Sequence, residues 1–197
     1  MIRQKEIQQA VDKALKIPGL YGRQESSFLY KLGRIKSDIL EIGCWRGRTT
    51  AILNQAANIY KAKLYSVDPF IRPGARFDPA SAEDWRQNLE RIGLVPQTLL
   101  EMTSEEAFKQ FSPDHEFGLV FIDGNHSFEA VTKDIELWSP KVKLGGILAF
   151  HDMWYPGATG VTKAITTWWL QNFSKWKLIG QVDLTVAFRK RSHEDSK

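Results

Sequence analysis

Apolar positions divide the chain into two regimes. Over the first 35 residues they recur at helical spacing, with Ile7, Val11 and Leu15 at i, i+4 and i+8 on one face. Ile17-Pro18-Gly19 ends that helix, and residues 26–32 offer a second one. A stripe of this kind wants a core to cover, so residues 1–35 are expected to form a helical cap. From residue 38 the pattern changes to short apolar runs separated by helical segments. Residues 38–42, 63–67, 97–102, 117–122 and 146–150 have strand length. Between them, Thr103-x-x-Glu106 is a capping box ahead of Ala107 and Phe108. Ser127 is a natural N-cap, after which Phe128, Val131, Ile135 and Trp138 repeat down one helical face. Val161, Ala164, Ile165 and Trp168 do the same later.

Strand and helix in repeated alternation predict a parallel sheet with helices on both faces. The tail breaks the rule. Residues 177–180 and 185–188 are strand-like runs with only four residues between them, so they should pair as an antiparallel hairpin at one edge. The expected fold is α/β: a doubly wound, mostly parallel seven-stranded sheet spanning residues 36–197, with an antiparallel C-terminal hairpin and the N-terminal helical cap. No repeat, low-complexity tract or Gly/Ser linker marks a second structural domain.

Composition narrows the function classes. With 197 residues the chain can bury roughly 70% of its unfolded surface without staples. The single cysteine, Cys44, excludes an internal disulfide framework and a Cys-rich zinc site. Lys and Arg number 27 against 23 Asp and Glu, and the charges are interspersed. The compact basic cluster Arg189-Lys190-Arg191 is diluted at once by Glu194 and Asp195, so a solvated surface is expected, with no nucleic-acid partner. Met1 to Glu6 begin no apolar run of secretory length, and no stretch approaches about 18 uncharged apolar residues. A cytoplasmic protein without membrane contact is the default expectation.

In an open parallel sheet, ligands bind at the carboxyl ends of the strands. Those ends carry Glu41-Ile42-Gly43-Cys44-Trp45-Arg46-Gly47, Asp68, Thr103-Ser104, Asp123-Gly124-Asn125-His126 and His151-Asp152. Gly43 lets a ligand approach the backbone, and Gly47 lets helix and strand pack closely. The dinucleotide fingerprint G-x-G-x-x-G would require glycine at position 45, where Trp45 stands. A dehydrogenase is thereby disfavoured. Asp68 is placed to accept both hydroxyls of a ribose.

Glu41-x-Gly43-x-x-x-Gly47 with Asp68 resembles the nucleotide-binding signature of class I S-adenosylmethionine-dependent methyltransferases. The stretch Ile122-Asp123-Gly124-Asn125-His126-Ser127-Phe128-Glu129, followed by Asp134, Gly145-Gly146 and His151-Asp152, is more specific. It is similar to a small-molecule O-methyltransferase family, over about residues 25 to 190. Two departures stand out: Asn125 occupies a position where the family often has Asp, and the chain carries no large insertion to wall a substrate pocket. The resemblance implies that Glu41 and the backbone of Gly43, Cys44, Trp45 and Gly47 hold the methionine end of S-adenosyl-L-methionine. It places Asp68 at the ribose, Thr103 and Ser104 beside the adenine, and Asp123 near the sulfonium.

Resembling metal-dependent enzymes set oxygen ligands after strands four and five, where Asp123 and Asp152 fall. Hard carboxylates suit Mg²⁺ or another divalent cation, while His151 before Asp152 departs from the acidic pairs of those relatives and would suit a softer metal. The expectation is a cation joining Asp123 and Asp152; without one, His126 is the general base. Asp123, His126 and Asp152 are the candidate catalytic cluster. Trp154 and Tyr155 could wall an acceptor pocket, and Trp85, Trp138, Trp168 and Trp169 belong to the core. The resulting expectation is methylation of a hydroxyl on a small-molecule acceptor, with self-assembly into a homo-oligomer left open. A nucleoside-binding protein that keeps the fold without turnover is the alternative. A nucleic-acid amino-methyltransferase would show Asp/Asn-Pro-Pro-aromatic after strand four, which Asp123-Gly124-Asn125-His126 is not.

Overall fold

Burial on both faces explains why the central strands read as unbroken apolar runs. Every residue of β1 (Ile39–Ile42) and β4 (Phe117–Ile122) is buried. The computed structural model describes residues 4–71 and 80–192. Around those two strands lie β2 (Leu64–Val67), β3 (Thr98–Leu100), β5 (Val142–Phe150), β6 (Trp176–Val182) and β7 (Thr185–Lys190). The sheet order is β3-β2-β1-β4-β5-β7-β6. Pairing is parallel from β3 through β5, and β7 runs antiparallel to both β5 and β6. The doubly wound sheet and its terminal hairpin match the expectation. β5 begins earlier than its apolar run suggests, at Val142, with a register shift against β4 where Gly145 takes φ +73°.

Two helical layers cover the sheet. On one face α1 (Gln4–Ala14), α2 (Arg23–Leu32), α3 (Arg48–Asn58) and α4 (Ala82–Arg91) pack on Ile39, Leu64, Leu119, Phe121 and Ala149. On the other, α5 (Ser104–Phe108), α6 (Phe128–Trp138) and α7 (Thr159–Asn172) pack on Leu40, Val67, Val120, Leu148 and Phe188. The N-terminal stripe does what its spacing demands: Ile7 and Val11 are buried, and Leu15 is partly so. Trp85 and Trp138 are fully buried, whereas Trp168 and Trp169 lie partly buried at the edge of the second core. No described helix is long and apolar enough to cross a membrane.

The strand order reverses between β1 and β4, and the hydrogen-bond ladder continues past the strand ends there. Gly43 N–H donates to Val67 O at 2.8 Å, Asp123 N–H to Ile42 O at 2.7 Å, and His151 N–H to Ile122 O at 3.1 Å. Three turns are thereby held in register beyond the sheet. Gly43 has φ +83°, and a Cβ there would stand 2.1 Å from the Asp123 carbonyl oxygen. Only glycine fits. We expect Gly43→Ala to cost more than about 3 kcal/mol through steric overlap plus a strained φ; a denaturant midpoint equal to that of the wild type would contradict this.

Candidate active site

Each turn at the carboxyl edge of the sheet delivers a polar group to one place. The turn from β1 into α3 is clamped by Asp68, whose Oδ2 accepts from Cys44 N–H at 3.0 Å and Trp45 N–H at 2.8 Å. Asp68 Oδ1 accepts from Phe70 N–H at 2.8 Å. This clamp keeps Trp45 and Phe70 at φ 41° and 53°, a left-handed backbone that bulky residues seldom adopt. Strain of that kind survives where neighbouring contacts over-determine it, which is common at ligand sites.

Beneath the turn, Glu41 is completely buried. Its Oε2 accepts from Thr50 Oγ1 and Ser66 Oγ, each at 2.7 Å, and Thr50 in turn accepts from Trp85 Nε1 at 3.0 Å. Oε1 has no partner among the described residues. Burial outweighs the hydroxyl donors and pushes the Glu41 carboxyl up to about 7.

The densest charge lies where β4 and β5 end. His126 Nε2 stands 3.1 Å from Asp152 Oδ2 and 3.8 Å from Asp123 Oδ1. His151 Nδ1 stands 3.3 Å from Asp123 Oδ1 and 3.5 Å from Asp152 Oδ1. Its other ring nitrogen faces Glu25 Oε1 at 3.2 Å, an ion-pair contact whose angle falls outside hydrogen-bond geometry. Burial opposes charge on His151, but Asp123, Asp152 and Glu25 overcome it and push its pKa up to about 12. Burial alone would raise Asp123; His151 and His126 reverse this and hold it down to about 2. Asp123, opposed by burial and assisted by Asp152, raises His126 above the ordinary imidazole value. Asp152 itself takes φ 59° at the start of a turn in which Tyr155 N–H donates to Asp152 O at 3.1 Å.

The sequence-based candidates thus fall into linked groups. Gly43, Cys44, Trp45 and Asp68 form the clamped turn, Gly43 abuts Asp123, and Asp123, His126 and Asp152 converge. Thr103 and Ser104 cap α5, with their hydroxyls committed. Thr103 Oγ1 donates to Glu106 Oε2 at 2.7 Å, and Ser104 Oγ accepts from Trp138 Nε1 at 2.7 Å. Asn125 accepts from Ser127 N–H at 2.9 Å and so shapes the turn that presents His126. Trp154 is 57% exposed, and its backbone N–H donates to Thr162 Oγ1 at 2.9 Å.

Sequence reasoning missed the residues that the cap contributes. Glu25 on α2 is buried, and its Oε1 accepts from Leu184 N–H at 3.2 Å and Thr185 Oγ1 at 3.1 Å. The Tyr21 ring lies on His151 with centroids 4.8 Å apart, and its hydroxyl pairs with Thr185 Oγ1 at 2.6 Å. Arg48 fastens this segment, donating to Ile17 O at 2.7 Å and Tyr21 O at 2.9 Å. A buried Glu on an amphipathic helix was the sole available signal. A concavity of about 270 Å³ lies between α6 and α7, and none of the cluster residues lines it. A smaller one of 170 Å³ is lined by Pro18, Arg46, Asp84 and Asn88, beside the clamped turn. The chemistry of the strand ends, rather than cavity size, marks the site.

A family model described as a methyltransferase domain matches residues 40–153, more than half of the chain. The chain belongs to that methyltransferase family. The matched span runs from β1 to just past Asp152, so it contains the clamped turn and the whole Asp123–His126–Asp152 cluster. The fold of this methyltransferase domain is also that of solved structures. SAH-bound PaMTH1 from Podospora anserina aligns at TM-score 0.67 and 16% identity, covering 97% of this chain and 89% of that one. Cofactor-bound Rv0187 from MTB aligns at TM-score 0.66 and 18% identity, covering 97% and 92%. The O-methyltransferase from Bacillus cereus in complex with SAH aligns at TM-score 0.64 and 15% identity, covering 96% and 93%. No curated protein matches the sequence.

The charge cluster fixes the sign of the pH dependence of stability. His151 binds a proton more tightly folded than unfolded, so its contribution is complete below pH 6.5 and is lost as pH rises towards about 12. Glu41, raised from 4.5 to about 7, acts in the same direction across that interval. Asp123 acts oppositely, losing its contribution as pH falls from 3.8 through about 2. Urea unfolding should therefore show stability declining from pH 7 to pH 9, with a slope that His151→Gln flattens; an unchanged slope in that variant would refute the assignment.

Proposed function

We propose that the protein transfers a methyl group from S-adenosyl-L-methionine to a hydroxyl of a small-molecule acceptor. The observation that carries this reading is the His126–Asp152 contact of 3.1 Å, set across from the Gly43 turn at the point where the strand order reverses. Family membership and the SAH-bound state of similar folds support it. When bound, the cofactor supplies an electrophilic methyl carbon on a sulfonium.

Every other part of the reaction falls to this chain's own residues. The backbone of Gly43 to Gly47 and Glu41 would hold the methionine end, Asp68 the ribose, and Thr103 with Ser104 the edge of the adenine. Asp68 performs its part with a turn it has already immobilised, so little order must be gained on binding. Trp154 and Tyr155 would wall the acceptor. His126 is half-exposed, and its Nδ1 makes no hydrogen bond among the described residues, so it can take up the proton of the acceptor hydroxyl while Asp152 orients the ring. Alignment of oxygen, methyl carbon and sulfur supplies the remainder of the rate.

A divalent cation also fits the donor set. Asp123, His126 and Asp152 each offer a ligand atom, all within 4.8 Å of one another. Three acids, Asp123, Asp152 and Glu25, surround the single buried imidazole of His151, so the cluster keeps acidic groups for such an ion to neutralise. Asp123, His126 and Asp152 would hold it, and it would supply Lewis acidity that lowers the pKa of an acceptor hydroxyl. This second reading and the His126-only reading separate on chelation: turnover abolished by EDTA and restored by Mg²⁺ selects the cation.

Calorimetric titration should show binding of S-adenosylhomocysteine and none of NAD; the reverse order would sink the proposal. Asp68→Ala should weaken S-adenosylhomocysteine at least tenfold, since each charge-assisted hydrogen bond is worth about 1.5–3 kcal/mol. An unaltered dissociation constant would leave Asp68 only its clamp. Against a panel of phenols, sugars and polyketides, His126→Gln should slow methyl transfer by about 10² to 10⁴. In the metal-free reading, kcat/KM should rise with pH through a midpoint above 6.5, because His126 must lose its proton to act. A pH-independent rate would remove His126 from that role. Binding without transfer to any acceptor would instead favour a nucleoside-binding protein.

A further inference from the structure

Asp123 and Asp152 end adjacent strands, whose spacing is about 4.8 Å. Two carboxylates so placed repel, and their side-chain torsions need partners to hold them. His126 Nε2 reaches both from the exposed side, at 3.1 Å to Asp152 and 3.8 Å to Asp123, and the buried anchor is the His151 ring, whose Nδ1 faces one oxygen of each. The ring is itself fixed from behind. Glu25 Oε1 faces Nε2 at 3.2 Å, the Tyr21 ring covers one face at 4.8 Å, and His151 N–H is tied to Ile122 O.

Glu25 in turn has little freedom. Oε1 is held by Leu184 N–H and Thr185 Oγ1, and Oε2 accepts from Gly22 N–H at 3.3 Å. We infer that Glu25 is a positioning residue of the methyl-transfer site: it fixes the His151 ring, and through that ring aims the carboxylates of Asp123 and Asp152 at the acceptor side. This rests on the reading of the site given above for its role, though not for its geometry.

The physical grounds are charge and reach. His151 has two ring donors and three carboxylate neighbours, and Glu25 is the one that faces Nε2, so a ring that loses Glu25 keeps only Tyr21 and the aspartates to oppose a turn about its Cβ–Cγ bond. Each carboxylate would then lose a charge-assisted contact and relax away from its neighbour. Burial makes the arrangement specific, because Glu25 and His151 are 5% and 9% exposed and water cannot replace either partner. The cap is therefore part of the site. Helix α2, outside the span matched by the family model, carries a residue on which the catalytic aspartates depend. The same dependence holds whether those aspartates serve His126 or a cation, since outer partners of ligands typically govern affinity by 10- to 100-fold.

Glu25→Gln tests this, with Glu6→Gln as the control. Glu6 accepts from Tyr30 Oη at 2.9 Å and pairs with Arg34, so its loss loosens the cap without touching His151. Crystal structures give the first readout. In Glu25→Gln the His151 ring should turn and the Asp123 and Asp152 contacts should open by more than 1 Å, while Glu6→Gln keeps them. Retention of both contacts in Glu25→Gln would overturn the inference. Should that variant not crystallise, the ring ¹H–¹⁵N signals of His151 at pH 7 report the same change. They should broaden or vanish in Glu25→Gln and persist in Glu6→Gln; persistence in both overturns it.

The second readout is kinetic, with catechol as probe acceptor. Glu25→Gln should lower kcat at least tenfold and leave the KM for S-adenosyl-L-methionine within threefold, and Glu6→Gln should leave kcat within twofold. An equal loss in both variants would make Glu25 a stabiliser of the cap only, overturning the positioning role. Wild-type protein that fails to bind S-adenosylhomocysteine by calorimetry would defeat the methyl-transfer reading instead, and the structural readout would still judge Glu25.

Discussion

Between the aspartates that end β4 and β5 stand two imidazoles, His126 on the exposed side and His151 on the buried side, and a third carboxylate lies behind His151. Remove the His151 ring and three buried or half-buried acids face one another in a medium far less polarisable than water, where like charges at such distances repel strongly. Keep it, and each acid acquires a counter-charge at a fixed distance. The turns after β4 and β5 can then close tightly, Asp152 can hold its left-handed backbone, and α7 can start close enough that a Cβ on Gly160 would overlap His126 O at 2.6 Å. The carboxyl edge of this half of the sheet is organised by charge.

The other half is organised by hydrogen bonds to backbone. Asp68 collects three N–H groups from two turns, and Glu41 collects two hydroxyls under the same loop. An acid at the end of β2 usually invites a ligand; here it also builds the turn that a ligand would meet. The halves touch at Gly43, whose missing side chain lets the Asp123 carbonyl come close. The β1–α3 turn and the turn after β4 are thereby joined through backbone atoms, so a shift in one reaches the other without an intervening flexible side chain.

How much of this could be read from residues alone depended on whether the signal was local. The strands at 39–42, 64–67 and 117–122, the α6 stripe and the Thr103–Glu106 capping box are local, set by short apolar runs and by side chains three or four residues apart. The Gly43 turn and the aspartates at strand ends were legible because an open parallel sheet places its ligands there. Glu25, Tyr21 and Thr185 were not. Each looks like an ordinary helix, loop or strand residue, and its meaning comes from a partner more than a hundred positions away. The extra length of β5 escaped notice for a related reason: the residues that open it are paired by the neighbouring strand rather than by their own pattern.

Tyr21 and Thr185 are 164 positions apart, and Glu25 and Thr185 are 160 apart. The cluster is thus backed by residues far apart along the chain, with β1 to β6 lying between them in sequence. Contacts of such separation carry the largest loop-closure cost and form after local ones during folding. A growing polypeptide emerging from the ribosome can complete β1 to β5, with every aspartate in place, before β7 exists to hold Glu25. During that interval the aspartates lack the support that aims them. Chemistry that depends on aimed aspartates is consequently withheld until β7 has been made, and a chain truncated before β7 would be left with its acids assembled but unaimed.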